Sequence, residues 1–221
     1  MGRFAQAACL NNQGVTALLE GNDKAAVAAL TQSINIMKQE LSNVPENNDI
    51  KRSAPFSSND YENRSTTGKL PGFHGAQDSY IFAEAINIPE HGDQTVVDIQ
   101  IYSAAVIFNL ALAVHREGNT TGSASSMAKA QKLYLMVLEV LNNQYMNSRV
   151  AVIVKVAAIN NLSQIRFDCG EYELVREGLA HLSTFLRASG NTSDAMLEEP
   201  KIQGLLMNVL LLKEPVIAPA A

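Results

Sequence analysis

Asn161-Leu162-Ser163-Gln164-Ile165-Arg166-Phe167-Asp168-Cys169-Gly170 is the stretch that decides the fold. It closes an amphipathic run that opens near Val150, and Glu171 starts a second run that continues to about Arg187. A glycine at the end of a helical period takes the left-handed position just past the helix, which residues bearing a β-carbon avoid. The stretch therefore predicts two helices about a tight turn. The same frame, asparagine with glycine nine positions later, recurs at Asn12 to Gly21 and at Asn109 to Gly118. Behind each glycine, apolar or small residues return in matching order: Ala26, Leu30, Ser33; Ala130, Tyr134, Val137; Val175, Leu179, Leu182. A recurrent pair of helices cannot bury its apolar face alone and must stack on a neighbour.

Outward from the third pair, the first predicts a helix from Phe4 to Glu20, a turn at Gly21 with Asn22 or Asp23 as cap, and a second helix to about Leu41. The second pair predicts a helix from near Ser103 to Gly118, an extra loop from Thr120 to Ser126, and a partner helix from Met127 to Leu141. Between the first two pairs, residues 42–78 are rich in Asn, Ser, Pro and Gly and read as a flexible loop. Residues 79–101 read as an inserted β-hairpin. Tyr80, Phe82, Ile86 and Ile88 suggest a strand, Pro89 to Asp93 a turn, and the β-branched Thr95-Val96-Val97-Asp98-Ile99 a strand pairing back. Residues 194–213 carry Leu205, Leu206, Val209, Leu210 and Leu211 and predict a helix capping the third pair, interrupted or restarted at Pro200.

At 221 residues the chain supports one domain, 1–221, and its 47% apolar content provides for a sizeable core. A net charge of −5 without a basic block leaves no electrostatic footprint for nucleic acid. Cys9, Cys169 and four scattered histidines lack metal-ligand spacing, so the cysteines read as buried thiols of a reducing compartment. Met1 to Gln6 has no signal-peptide pattern, and Gln6 stands where myristoylation needs Ser or Thr. No run reads as the ~20 apolar residues of a membrane span. These features read as a soluble, cytoplasmic protein without a membrane partner.

The repeated units resemble tetratricopeptide repeats. Leu18-Leu19-Glu20-Gly21-Asn22 with Ala26, Phe108-Asn109-Leu110-Ala111-Leu112-Ala113, and Asp168-Cys169-Gly170-Glu171-Tyr172 with Leu179 follow that family's pattern. Gly14, Ala111 and Ser163 fill the position where the family keeps a small residue for close helix approach. Asn11-Asn12-Gln13-Gly14, Asn160-Asn161-Leu162 and the tail Leu205 to Leu211 are also similar to tetratricopeptide-like proteins of diatoms. The resemblance implies an all-α array of three helical hairpins, with the inserted β-hairpin and the capping helix. It also implies non-catalytic protein–protein interaction, with a peptide or helix lying in a concave groove. Groove candidates are Asn11, Val15, Leu18, Phe108, Leu112, His115, Asn160, Gln164 and Phe167. The family's clamp for acidic C-terminal tails needs several basic residues, whereas the equivalent positions here read Asn11, Val15, Phe108, Asn109, Ala157 and Asn161. Arg116 and Arg166 read as solvated.

An asparagine amide donates and accepts, so it can grip a ligand's main chain whatever its side chains. Asn12, Asn109 and Asn161, however, share one register position, and the first reading of such a ladder is hydrogen bonds between units. The alternatives to peptide binding are a small-molecule hydrolase using His115, with Glu117 or Asp168 as nearby acids, and a self-assembling structural protein. Catalytic, cofactor and metal residues are not expected. Residues 64–70 fail as a phosphate loop, because Asn63 replaces the first glycine and Leu70 the magnesium-binding hydroxyl.

Overall fold

The computed structural model describes residues 2–42, 81–90, 95–141, 148–189 and 199–211. These form an all-α fold with the helices α1 (Arg3–Leu19), α2 (Asp23–Ser42), α3 (Val96–Thr121), α4 (Ala124–Val140), α5 (Arg149–Asp168), α6 (Tyr172–Ser189) and α7 (Glu199–Leu211). Among the described residues there is no strand. The expected loop over 42–78 lies, apart from Ser42, outside them, as do residues 79–80, 91–94, 190–198 and 212–213. The described residues pack as two compact units: 2–42 with 83–90, 95–141 and 148–158, and 81–82 with 159–189 and 199–211.

In the first unit α1 pairs with α2 and α3 with α4, while α3 also rests on α2 and touches α1. Phe4 of α1 meets Tyr102 of α3 at 5.8 Å between ring centroids. The first turn ends α1 in a Schellman motif. Gly21 has φ +75°, and the N–H groups of Gly21 and Asn22 reach back to the carbonyls of Leu18 and Ala17. Asn22 then caps α2, its Oδ1 accepting from the Ala25 N–H at 3.2 Å. Close approach is built in at Gly14, where an added β-carbon would lie 2.6 Å from Leu30 Cγ of α2. Ser33 of α2, fully buried, donates to the Ala7 carbonyl of α1 at 2.7 Å.

The second hairpin departs from the sequence reading at both ends of its first helix. Gly118 is not its turn: α3 runs on to Thr121, and the left-handed residue is Gly122, φ +66°. The Ser123 N–H bonds back to the Gly118 carbonyl, and the Ser123 hydroxyl caps α4, so the expected loop over Thr120 to Ser126 is a tight turn. Gly118 serves packing instead, since a β-carbon there would lie 2.5 Å from Met127 Sδ of α4. At the other end, the expected second strand of the β-hairpin is the cap and first turns of α3. Thr95 accepts from the Asp98 N–H, and the Asp98 carboxylate accepts from the Thr95 N–H. This capping box overrides the β preference of the Thr95 to Ile99 run, because propensity is a weak prior against a satisfied helix start.

In the second unit, which holds α5 from Ile159 onward, α6 and α7, the Gly170 turn (φ +75°) repeats the Schellman pattern, with Gly170 and Glu171 N–H groups on the carbonyls of Phe167 and Arg166. Gly178 of α6 sits over Ser163, where a β-carbon would meet Oγ at 2.7 Å. The helix expected over 194–213 is present as α7, which begins at Glu199 and packs on α6. It buries Leu205 and Asn208 and leaves Leu206, Met207 and Leu210 exposed.

All nine residues that the three second helices share in register, from Ala26 to Leu182, are buried. Two helices, α3 and α5, are long and apolar enough to cross a membrane by length and composition, contrary to the sequence reading. Most of each apolar window lies inside the fold, 72% in α3 and 67% in α5.

Candidate functional site

Residues 81–90 are neither helix nor strand, yet their main chain is engaged at alternate positions. In an extended chain the N–H and C=O of one residue point the same way and those of the next point oppositely, so a partner on one side meets every second residue. In the first unit those partners are asparagine side chains. Asn109 accepts from the Ile86 N–H at 2.8 Å and donates to the Ile86 carbonyl at 2.8 Å. Asn12 does the same for Ile88, at 2.9 Å on each arm. One primary amide thus matches both main-chain groups of one residue, as a facing strand would.

The amides are themselves fully committed. Asn11 adds a second donor to the Ile86 carbonyl at 3.0 Å and gives its other N–H to Asn12 Oδ1 at 3.2 Å. Asn109 gives its second N–H to Asn11 Oδ1 at 2.9 Å, joining α3 to α1. Asn12 gives its second to Glu90 Oε1 at 3.2 Å. Asn11 and Asn109 are fully buried, where an unmade bond costs ~1–3 kcal/mol, so this closed network holds the segment in one register. The Ile88 side chain is buried and Ile86 half-buried, while Ala83, Asn87 and Pro89 face solvent.

The second unit repeats the device at Phe82. Asn161 accepts from the Phe82 N–H at 2.9 Å and donates to its carbonyl at 3.1 Å. Asn160 donates to Asn161 Oδ1 at 3.1 Å, as Asn11 does to Asn12, and Asn208 of α7 donates to Asn160 Oδ1 at 2.8 Å. The ladder Asn12, Asn109, Asn161 is therefore not chiefly a set of bonds between hairpins; each member clamps one residue of an extended stretch. The sequence carried both halves of this signal: a fixed asparagine register on the first helix of each pair, and a run with Phe82, Ile86 and Ile88 at even positions. Pairing the run with Thr95 to Ile99 hid the connection.

The groove candidates fall as follows. Asn11, Val15, Leu18, Phe108, Leu112 and His115 are buried in the first unit, and Asn160 and Gln164 in the second. Phe167 is half-buried, its ring edge-on to Tyr172 at 5.5 Å. Of these, Asn11 and Asn160 belong to the clamping networks. Phe108 stacks tilted on Tyr134 of α4, and His115 lies against the same tyrosine, Nδ1 3.3 Å from its hydroxyl. Burial pulls the His115 pKa down to about 4, so the ring is neutral at physiological pH.

Arg116 is partly exposed, as a solvated residue would be, but it has partners. It donates to the Leu18 carbonyl at the end of α1 at 2.8 Å and lies 3.5 Å from the Asp23 carboxylate at the start of α2, bracing the first turn. Arg166 sits 3.8 Å from Glu171 across the third turn. Cys9 and Cys169 are free thiols, each only half-buried. Burial, then the charges of Glu171 and Asp168, push the Cys169 thiol up, so it stays protonated. Among the described residues no group of three or more His, Cys, Asp or Glu side chains is placed to hold a metal ion.

Comparison with protein-family models, with curated proteins and with solved structures found no match.

Proposed function

We propose that this chain is a non-catalytic, tetratricopeptide-like protein-interaction module that holds an extended peptide by its main chain, along the first helices of its hairpins. The observation that carries the reading is the double grip of Asn109 on Ile86 and of Asn12 on Ile88, two residues apart on one extended stretch. That spacing is the repeat of an extended chain, and recognition by main-chain bonds with alternate side chains in pockets is a general mode of peptide binding. The stacked hairpins of the first unit, with glycine approaches at Gly14 and Gly118, also support the array reading. The burial of His115 against Tyr134 supports a packing role for the only histidine that the sequence offered as a catalyst.

The test is a display library of linear peptides panned against the full chain and against its Asn12→Leu variant, both checked for helicity by circular dichroism. Retained peptides are expected to be lost on Asn12→Leu, which keeps side-chain volume and removes the amide. Ligands indifferent to that change, or none at all, would overturn the reading.

A further inference from the structure

The stretch that occupies the asparagine grip belongs to the chain itself, and its pattern describes what else fits there. In the first unit the requirement is an extended segment with apolar residues at two alternate positions, the second buried, followed after one residue by a carboxylate. Residues 86–90 meet it as Ile86-Asn87-Ile88-Pro89-Glu90. Ile86 and Ile88 supply main-chain groups to Asn109 and Asn12, Ile88 fills the core, and Glu90 takes the second N–H of Asn12. Apart from that carboxylate, every polar contact from Asn11, Asn12 and Asn109 to this stretch is to main chain, so the grip does not distinguish the chain's own segment from another of the same pattern.

Building on the peptide-binding reading above, we propose that residues 86–90 are a resident occupant of the site, and that a partner protein carrying an extended apolar-x-apolar-x-acidic segment binds by displacing them. Several observations favour exchange over a fixed part of the core. The resident forms no helix or strand, and its hydrogen bonds to the first unit end on side chains. It alternates buried with exposed residues, as a ligand in a groove does. The asparagines lie on α1 and α3, which pair with α2 and α4 in hairpins of their own. The occupant's covalent attachment gives it an effective concentration on the order of millimolar, so a free segment succeeds only by binding more tightly or after the resident is weakened. The apparent affinity of the native chain is then the intrinsic affinity reduced by the fraction of unoccupied sites.

The experiment uses a fluorescent synthetic peptide with the sequence of residues 81–90, titrated by anisotropy into the full native chain and into full-length Ile88→Asp, Asn12→Leu and Ile88→Asp/Asn12→Leu variants. Ile88→Asp removes the resident's buried anchor and leaves every groove residue in place. Binding is expected to tighten roughly tenfold or more on Ile88→Asp and to be lost again in the double variant. Equal binding by the native and Ile88→Asp chains, with unchanged helicity, would overturn displacement. Library ligands that still depend on Asn12 would meanwhile leave the peptide-binding reading standing.

Because Ile88→Asp risks unfolding, hydrogen exchange on the native chain provides a second, independent measurement. The Ile86 and Ile88 amides are expected to exchange through a local opening, faster than the core amides of α3. Exchange of both only at the rate of global unfolding would overturn the proposal. A concentration-dependent dimer that swaps these residues between copies would name a second copy as the occupant and overturn a foreign partner.

Discussion

Asn109 shows why a single amide decides so much here. Its two N–H groups and its oxygen reach Ile86 and Asn11, and the side chain itself is fully buried. Asn109→Leu keeps the volume but strands the Ile86 N–H and the Asn11 oxygen. We expect a loss of about 3 kcal/mol or more, read as a lower urea midpoint, because each stranded buried group costs ~1–3 kcal/mol. His115 gives a second residue-scale expectation. Its pKa is about 4 in the fold against an ordinary 6.5, so the unfolded chain binds a proton between those values that the folded chain does not. The stabilisation is complete above pH 6.5 and is lost as pH falls toward 4, about 3 kcal/mol across that window. Urea titrations across it should show the native midpoint falling and His115→Gln falling much less. At this scale the sequence revealed which asparagines share a register but not what they hold. A side-chain amide is equally suited to another amide or to a main chain, and only the position of residues 81–90 decides.

At the scale of elements, periodicity and glycine punctuation were legible because they are local. Gly21 and Gly170 take left-handed turns as their place after an amphipathic run implies. Gly118 deceived because a glycine needed for close approach and a glycine needed for a turn look alike until packing is known. The two uses respond differently to a methyl group. Gly122→Ala is expected to cost ~1–2 kcal/mol through its left-handed backbone alone. Gly14→Ala drives a β-carbon to 2.6 Å from Leu30 Cγ, a branch point that cannot swing aside. Gly118→Ala meets the pliant thioether of Met127. Thermal melts should therefore rank Gly14→Ala as the more damaging of these two. The start of α3 was misread because β-branched residues favour strands, while Thr95 and Asp98 close a capping box. Thr95→Ala is expected to lower stability by about 1 kcal/mol, measured by urea unfolding.

At the scale of the whole molecule, two compact units each draw on two separated stretches of sequence. A chain reading had no means of seeing this, since nothing local records that Phe82 sides with the C-terminal stretch. Asn12 meets Ile88 across 76 positions and Asn161 meets Phe82 across 79. Contacts so far apart are closed late, after the local hairpins, because loop-closure entropy opposes them. Asn12→Leu should accordingly speed unfolding while leaving the folding rate nearly unchanged, which a chevron plot would show. The alternating engagement of residues 81–90 has one more implication. Apart from the Glu90 carboxylate and the buried Ile88 side chain, the grip handles the backbone and is indifferent to what protrudes from it. Ala83 and Asn87 are then free to drift over evolutionary time, while the asparagines beneath them are not, and kin of this protein should be told apart by that contrast.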